Sequence, residues 1–268
     1  MHNLPLPRRL HRLPVALLLA AAALAAQGQA VKPAPDDPYQ SLPWLDMRAA
    51  HLDQRQLRFD PRVQVQGPAF AEDPMNVPVT VRVDPALGAV EKIVVLVDRN
   101  PIRRVLEYWP LQALPALSFR FKLEQASPVR AAVLTRAGQW HVGSTWVDSA
   151  GGGCTVSGAT RKDGSWAQTL GEVSGRMFSR APGMDGAARL RLQIMHPMDT
   201  GLVAGVPAFY VNRLSVRDGS GRELARLQAY EPVSENPVFS FDFAQPPAGG
   251  VTVTGADNNG NRIASQLP

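Results

Sequence analysis

Gly151-Gly152-Gly153-Cys154, followed by Thr155-Val156-Ser157-Gly158, sets one sulfur nucleophile behind three residues without side chains. Cys154 is the only cysteine in 268 residues, so no internal disulfide can form. The sulfur is therefore idle, paired with another chain, or chemically used. Glycine has no Cβ and leaves the backbone angles open, so the pattern predicts a flexible arm at Gly151, Gly152 and Gly153. Four such residues reach roughly 10–12 Å as a random coil and about 14 Å fully stretched. That reach suits a thiol that carries a covalent group into another protein's active site. The plainer readings are a small buried residue at a strand end and a thiol that dimerises. No Lys, Arg or His adjoins Cys154, and Arg161 and Lys162 are the nearest cations downstream.

The remaining chemistry-bearing residues are sparse. Of five histidines, two precede residue 12, leaving His51, His141 and His196, none at a paired metal-ligand spacing. His196 and Met198, two apart, could ligate copper or haem iron from a strand end, but such a site needs further ligands. The plainer reading is that His196-Pro197-Met198-Asp199-Thr200-Gly201 ends a strand, turns, and packs on the other half of the chain. Tyr108-Trp109-Pro110 is either an exposed contact patch or strand packing. His196, Met198, Tyr108 and Trp109 are thus candidates for partner or interdomain contact. There is no Gly-x-Ser-x-Gly elbow, phosphate loop, dinucleotide fingerprint or Cys-x-x-Cys pair. These absences predict no catalytic residue, metal or cofactor, and a carrier or accessory protein without turnover of its own.

The elements that must position Cys154 read as strands. Residues 1–30 have the form of a secretion signal, with Arg8, Arg9 and Arg12 ahead of a Leu/Ala stretch and cleavage expected between about residues 25 and 30. The route, general or twin-arginine, stays open. Cleavage after Ala30 removes three arginines and no acid, taking the formal charge from +5 to +2. A nucleic-acid partner then loses its compositional support. No later stretch has 18 consecutive apolar residues, so the expected location is periplasmic, without a membrane span. Residues 31–60 form a leader with one helix over Ser41–Leu57, Ser41 as N-cap and Pro43 in the first turn. Period-two alternation over residues 61–154 and again over 176–268 predicts two antiparallel β-sandwiches of immunoglobulin-like type in tandem, an all-β fold. The run Ile93-Val94-Val95-Leu96-Val97 suits a central strand buried on both faces. Gly, Ser and Thr make up half of residues 149–175, so 155–175 reads as a mobile, solvated linker on which Trp166 and Leu170 could still dock.

The two halves resemble, in order, the two subunits of the SoxYZ sulfur carrier. The first-half likeness runs through Val81-Arg82-Val83-Asp84-Pro85 and Gly138-Gln139-Trp140-His141-Val142-Gly143 to Gly152-Gly153-Cys154. In the second half it rests on His196-Pro197-Met198-Asp199-Thr200-Gly201-Leu202, Glu235-Asn236-Pro237 and Asp257-Asn258-Asn259-Gly260. The chain is similar to fused SoxYZ-like carriers associated with quinoprotein dehydrogenases. The resemblance implies a periplasmic carrier whose cysteine holds sulfur intermediates for partner enzymes of sulfur-oxidation type, for c-type cytochromes, or for a quinoprotein dehydrogenase system. A non-covalent adaptor between such a dehydrogenase and a c-type cytochrome is the alternative. It also implies that the two domains pair within the chain. One departure matters: the SoxY cysteine sits in a GGCGG tail, whereas Thr155-Val156-Ser157 follows Cys154 here and the chain continues. A loop enters a partner as two backbones about 4.8 Å apart, which predicts an open groove rather than a tunnel.

Overall fold

A computed structural model describes residues 36–164, 166–179 and 187–268. The expected secretion signal lies outside them. One helix, α1 (Trp44–His51), precedes β1 (Leu57–Phe59), β2 (Val63–Gln66), β3 (Phe70–Ala71), β4 (Val77–Val83), β5 (Val90–Val97), β6 (Arg104–Trp109), β7 (Ala116–Phe121), β8 (Ser127–Thr135) and β9 (Trp140–Ser149). Two short helices, α2 (Ala159–Asp163) and α3 (Trp166–Thr169), lead to β10 (Val173–Ser179) and β11 (Ala188–Ile194). The chain closes with β12 (Val211–Asp218), β13 (Glu223–Ala229), β14 (Val238–Phe243), β15 (Val251–Asp257) and β16 (Arg262–Leu267). No helix among the described residues is long and apolar enough to cross a membrane.

The all-β, immunoglobulin-like architecture with a short N-terminal helix is the one the periodicity predicts. The strands form two sheets, one ordered β1-β9-β8-β5-β6-β13-β12-β15-β16 and the other β10-β11-β14-β7-β4-β2. Most pairings are antiparallel, while β1 and β3 run parallel to β9. The two halves are joined edge to edge through both sheets. β6 pairs with β13, setting Tyr108 opposite Leu227, and β7 pairs with β14, setting Leu117 opposite Phe241. Apolar side chains of both halves form one continuous core between the sheets, from Val63 and Phe121 to Phe241 and Ile263.

The run in β5 divides its side chains between two layers, as a doubly buried strand must. Ile93, Val95 and Val97 enter the inter-sheet core, and Val94 and Leu96 face the opposite way under α1. There Trp44, Met47 and Leu52 cover β5, β8 and β9. The helix is shorter than the periodicity suggests. Pro43 stands just before Trp44, and the Ser41 hydroxyl is buried without a hydrogen-bond partner rather than capping the helix. Asp37 takes the capping load upstream, accepting from the amides of Tyr39 (3.1 Å) and Ser41 (2.9 Å).

The segment expected to be a solvated linker is instead docked. The Glu235 carboxylate accepts from the Ala159 amide (3.2 Å) and from the Thr160 amide (3.3 Å) and hydroxyl (3.0 Å). Trp166 packs edge-on against Phe209 at 5.8 Å, with the Arg161 guanidinium 4.5 Å from the Trp166 ring. Small residues let this stretch follow the second half closely, and Gly158 passes where a Cβ would lie 2.0 Å from Glu235 Oε2.

Candidate functional site

Cys154 sits where the end of β9 returns past the residues that follow β7. The thiol is 1% exposed and its Sγ donates to the Lys122 carbonyl at 3.5 Å. Every amide of the glycine stem is paired. Gly151 N–H donates to Ser149 Oγ (3.0 Å), Gly152 N–H to the Glu124 carbonyl (3.1 Å), and Gly153 N–H to the Leu123 carbonyl (3.2 Å). The Cys154 amide donates to Glu124 Oε2 at 2.9 Å, and the Thr155 hydroxyl to Glu124 Oε1 at 3.1 Å. Gly151, Gly152 and Gly153, expected as a flexible arm, thus lie as a seated loop in this structure.

The reason lies in the same missing Cβ atoms. At Gly153 a Cβ would stand 2.2 Å from the Pro74 carbonyl oxygen and 2.6 Å from that of Leu123. Gly151 and Gly152 hold φ near +95° and +86°, where L-residues are strained. Glycine here permits close approach to backbone as well as motion.

The second half closes the site. Thr200 Oγ1 donates to the Cys154 carbonyl at 2.7 Å, and Lys122 Nζ donates to the Met198 carbonyl. Lys122 is itself buried, held between the halves. Met198 adopts a left-handed φ of 50°, and its Sδ accepts from the Val211 amide at 3.2 Å. Asp199 is bound by Arg161, whose Nε lies 3.0 Å from Oδ2. The second-half segment from His196 to Thr200 thus forms a plug over the thiol loop.

Burial pushes the Cys154 thiol up to about 12, with the Glu124 carboxylate adding to the rise and Lys122 opposing it. Burial lowers Lys122, with Cys154, Asp199 and Glu235 opposing. The seated thiol is therefore a neutral S–H at physiological pH. Lys122 and Glu124 escaped the sequence reading, and Glu235 entered it only as part of the Glu235-Asn236-Pro237 segment. The signal available was slight: two charges flanking Leu123 at the end of an otherwise alternating strand.

His196 and Met198 are fully buried and belong to the plug rather than to an outer surface. Tyr108 is buried at the seam, its hydroxyl donating to the Leu114 carbonyl and its ring 5.8 Å from Phe241. Trp109 pairs in register with Arg226 across the same seam. None of Tyr108, His196 and Met198 is exposed to an external partner in this structure. Among the described residues no group of three His, Cys, Asp or Glu side chains could hold a metal ion.

His196 Nδ1 accepts from the Met198 amide at 3.0 Å, which leaves the ring proton on Nε2, 3.5 Å from Asp257 Oδ2. Burial pulls His196 down to about 4, against the attraction of Asp257. An unfolded histidine protonates near 6.5, so between these values the unfolded chain binds the extra proton. The contribution of neutral His196 is complete above about pH 6.5 and is lost as pH falls through about 4, roughly 3 kcal/mol in all. Denaturant titrations across this window should show His196→Gln flattening the acid limb. An unchanged limb would mean that other groups govern it.

Fold and site define an all-β protein of two joined sandwiches, with a single thiol loop closed between them. Residues 48–154 match the family model of the Sulfur oxidation protein SoxY, and residues 177–267 that of the Sulphur oxidation protein SoxZ. The chain belongs to the SoxYZ group of sulfur carrier-like proteins, which are carriers rather than enzymes, with both units fused in one polypeptide. The SoxY match ends on Cys154 itself. Among solved structures, the chain is similar to the sulfur carrier protein SoxY from Chlorobium limicola f thiosulfatophilum. That pair is 20% identical with a TM-score of 0.36, over 40% of this chain and 96% of that one. A beta-glycosidase from Bacteroides vulgatus is 12% identical with a TM-score of 0.23, over 85% of this chain and 26% of that one. No curated protein matches the chain.

Proposed function

We propose that this protein is a periplasmic covalent carrier that holds a thiol-linked sulfur species on Cys154 and presents it to partner enzymes of sulfur-oxidation type. The observation that carries this reading is the placement of the lone thiol. It ends the SoxY-family unit, and Thr200 and Met198 of the SoxZ-family unit close over its loop. The seated loop is then the resting state, a protonated thiol shielded from adventitious oxidants. Delivery lifts residues 151–155 away from Glu124, Leu123 and Thr200. Water replaces each neutral contact at a net cost of about 1 kcal/mol, and each of the two to the Glu124 carboxylate at about 1.5–3 kcal/mol.

Joining the thiol to a sulfane-type anion forms an S–S bond and releases one proton and two electrons. The loading partner is therefore an oxidant system, a role that a c-type cytochrome fills, and a quinoprotein dehydrogenase system is the wider setting. The test is intact mass of protein purified from its native compartment without reductant. A sulfur adduct mapped to Cys154, and absent from Cys154→Ser, is the expected result. Bare thiol under every sulfur supply would sink the carrier reading.

A further inference from the structure

The outer face of the β10-β11-β14-β7-β4-β2 sheet carries a lopsided charge. Arg82, Arg120, Arg176, Arg189 and Arg191 alternate with core residues and so point away from the core. The only carboxylate on these strands is Asp242, whose oxygens lie 2.6 and 2.8 Å from Arg189. Arg176 stands in register opposite Arg191, a like-charge pair that costs the free sheet stability. Arg120, Arg176 and Arg191 are exposed and make no ion pair among the described residues. Beside them Phe178 is 41% exposed, with the Arg176 guanidinium 5.3 Å from its ring. A shallow groove of about 390 Å³ runs between Thr80, Ser118, Arg120, Phe178, Arg191 and Ser240.

We infer that this face is the docking surface for an acidic protein partner. Arginines around an exposed aromatic ring, over a floor of hydroxyls, are the composition of a protein interface. The Asp242 carboxylate in the middle of the face disfavours a phosphate backbone or an anionic lipid surface. A protein partner can present its acids around Asp242 and leave it with Arg189. The face is complete only when the halves are joined, since Arg120 lies on β7 and the other exposed arginines on β10 and β11. Arg120 is two residues from Lys122, about 7 Å along the chain, so a partner seated here lies beside the thiol loop. That link to delivery rests on the carrier reading; the docking surface does not.

The test uses the full chain and the double variant Arg120→Glu/Arg191→Glu, both positions being exposed and outside the thiol machinery. Labelled poly-L-glutamate is the probe, with an oligo-dT strand and vesicles containing phosphatidylglycerol alongside. The native protein should bind polyglutamate more tightly than either alternative, weaken as salt rises from about 50 to about 300 mM, and lose about tenfold or more in the variant. Thermal melting and iodoacetamide reactivity of Cys154 should be the same in both proteins, which separates lost docking from lost fold. Polyglutamate binding that is absent, or unchanged by the substitutions, overturns the inference. Tighter binding of oligo-dT or vesicles overturns it too, in favour of a nucleic acid or a membrane. The adduct measurement on Cys154 is independent, so a failed carrier reading and a failed docking surface give different results.

Discussion

Alkylation of Cys154 in the native protein at about pH 8 should run roughly 10³-fold slower than that of a cysteine in an unstructured peptide. With the thiol held at about 12, about one molecule in 10⁴ is a thiolate there, against about a quarter for a free thiol. Burial of Sγ slows attack further. Gly153→Ala should abolish most of this protection. A Cβ at that position meets two backbone carbonyls, which cannot swing aside as a side-chain end could. Glu124→Ala, which removes the acceptor for the Cys154 amide and the Thr155 hydroxyl, should raise the rate by a smaller factor. The pH profile carries the sign. The unfolded or lifted thiol ionises near 8.5 and the seated one near 12, so the seated form binds more protons between them. Loop seating is therefore complete below about pH 8.5 and weakens by about 1.4 kcal/mol per pH unit up to about 12. Native labelling as fast as that of a denatured control would show that the loop does not rest seated.

Arg130→Ala should cost about 3–5 kcal/mol of folding stability. Arg130 lies on β8, fully buried, and forks onto two carboxylates at once. Its Nη1 and Nη2 reach Asp37 at 2.8 and 2.9 Å, while Nε and Nη2 both reach Asp98 at 2.7 Å. The Trp44 ring lies 4.5 Å from the guanidinium. Removing the cation leaves two buried carboxylates without their counter-charge, a far larger penalty than the net worth of the intact group. Arg130→Lys should recover only part of the loss, because an ammonium cannot serve two carboxylates in the same plane. The measurement is denaturant unfolding, paired with limited proteolysis around α1, which Asp37 ties to the sheet through Arg130. A loss below about 1 kcal/mol would mean that water reaches the cluster.

Strand content and its turns were legible because period-two alternation is local. The two-sided burial of β5 was legible for the same reason: five consecutive apolar residues leave no polar face. The helix was legible but its ends were not, since Pro43 and Asp37 set the start together. The glycines marked the thiol loop in the sequence but not its seating. Whether a glycine gives slack or close seating depends on what lies opposite it. Here that is the carbonyls of Pro74 and Leu123, remote in sequence. Lys122 and Glu124, which follow β7, were invisible for the same reason, whereas the segment holding Thr200 was expected to pack on the other half but not to close on Cys154. The strand pairs that join the halves had no signature either. β13 reads as an ordinary strand and β6 shows only the Tyr108-Trp109-Pro110 patch, so nothing local marks which strand will meet which.

Those shared pairings bear on how such a molecule is made. Supplied as independent polypeptides, one half would emerge with β6 and β7 bare along one side and the other with β13 and β14. Open margins of that kind are templates for fibrillar or mismatched association. Translation as a single string delivers complementary margins in strict one-to-one ratio, so each finds its mate before it can recruit a stranger.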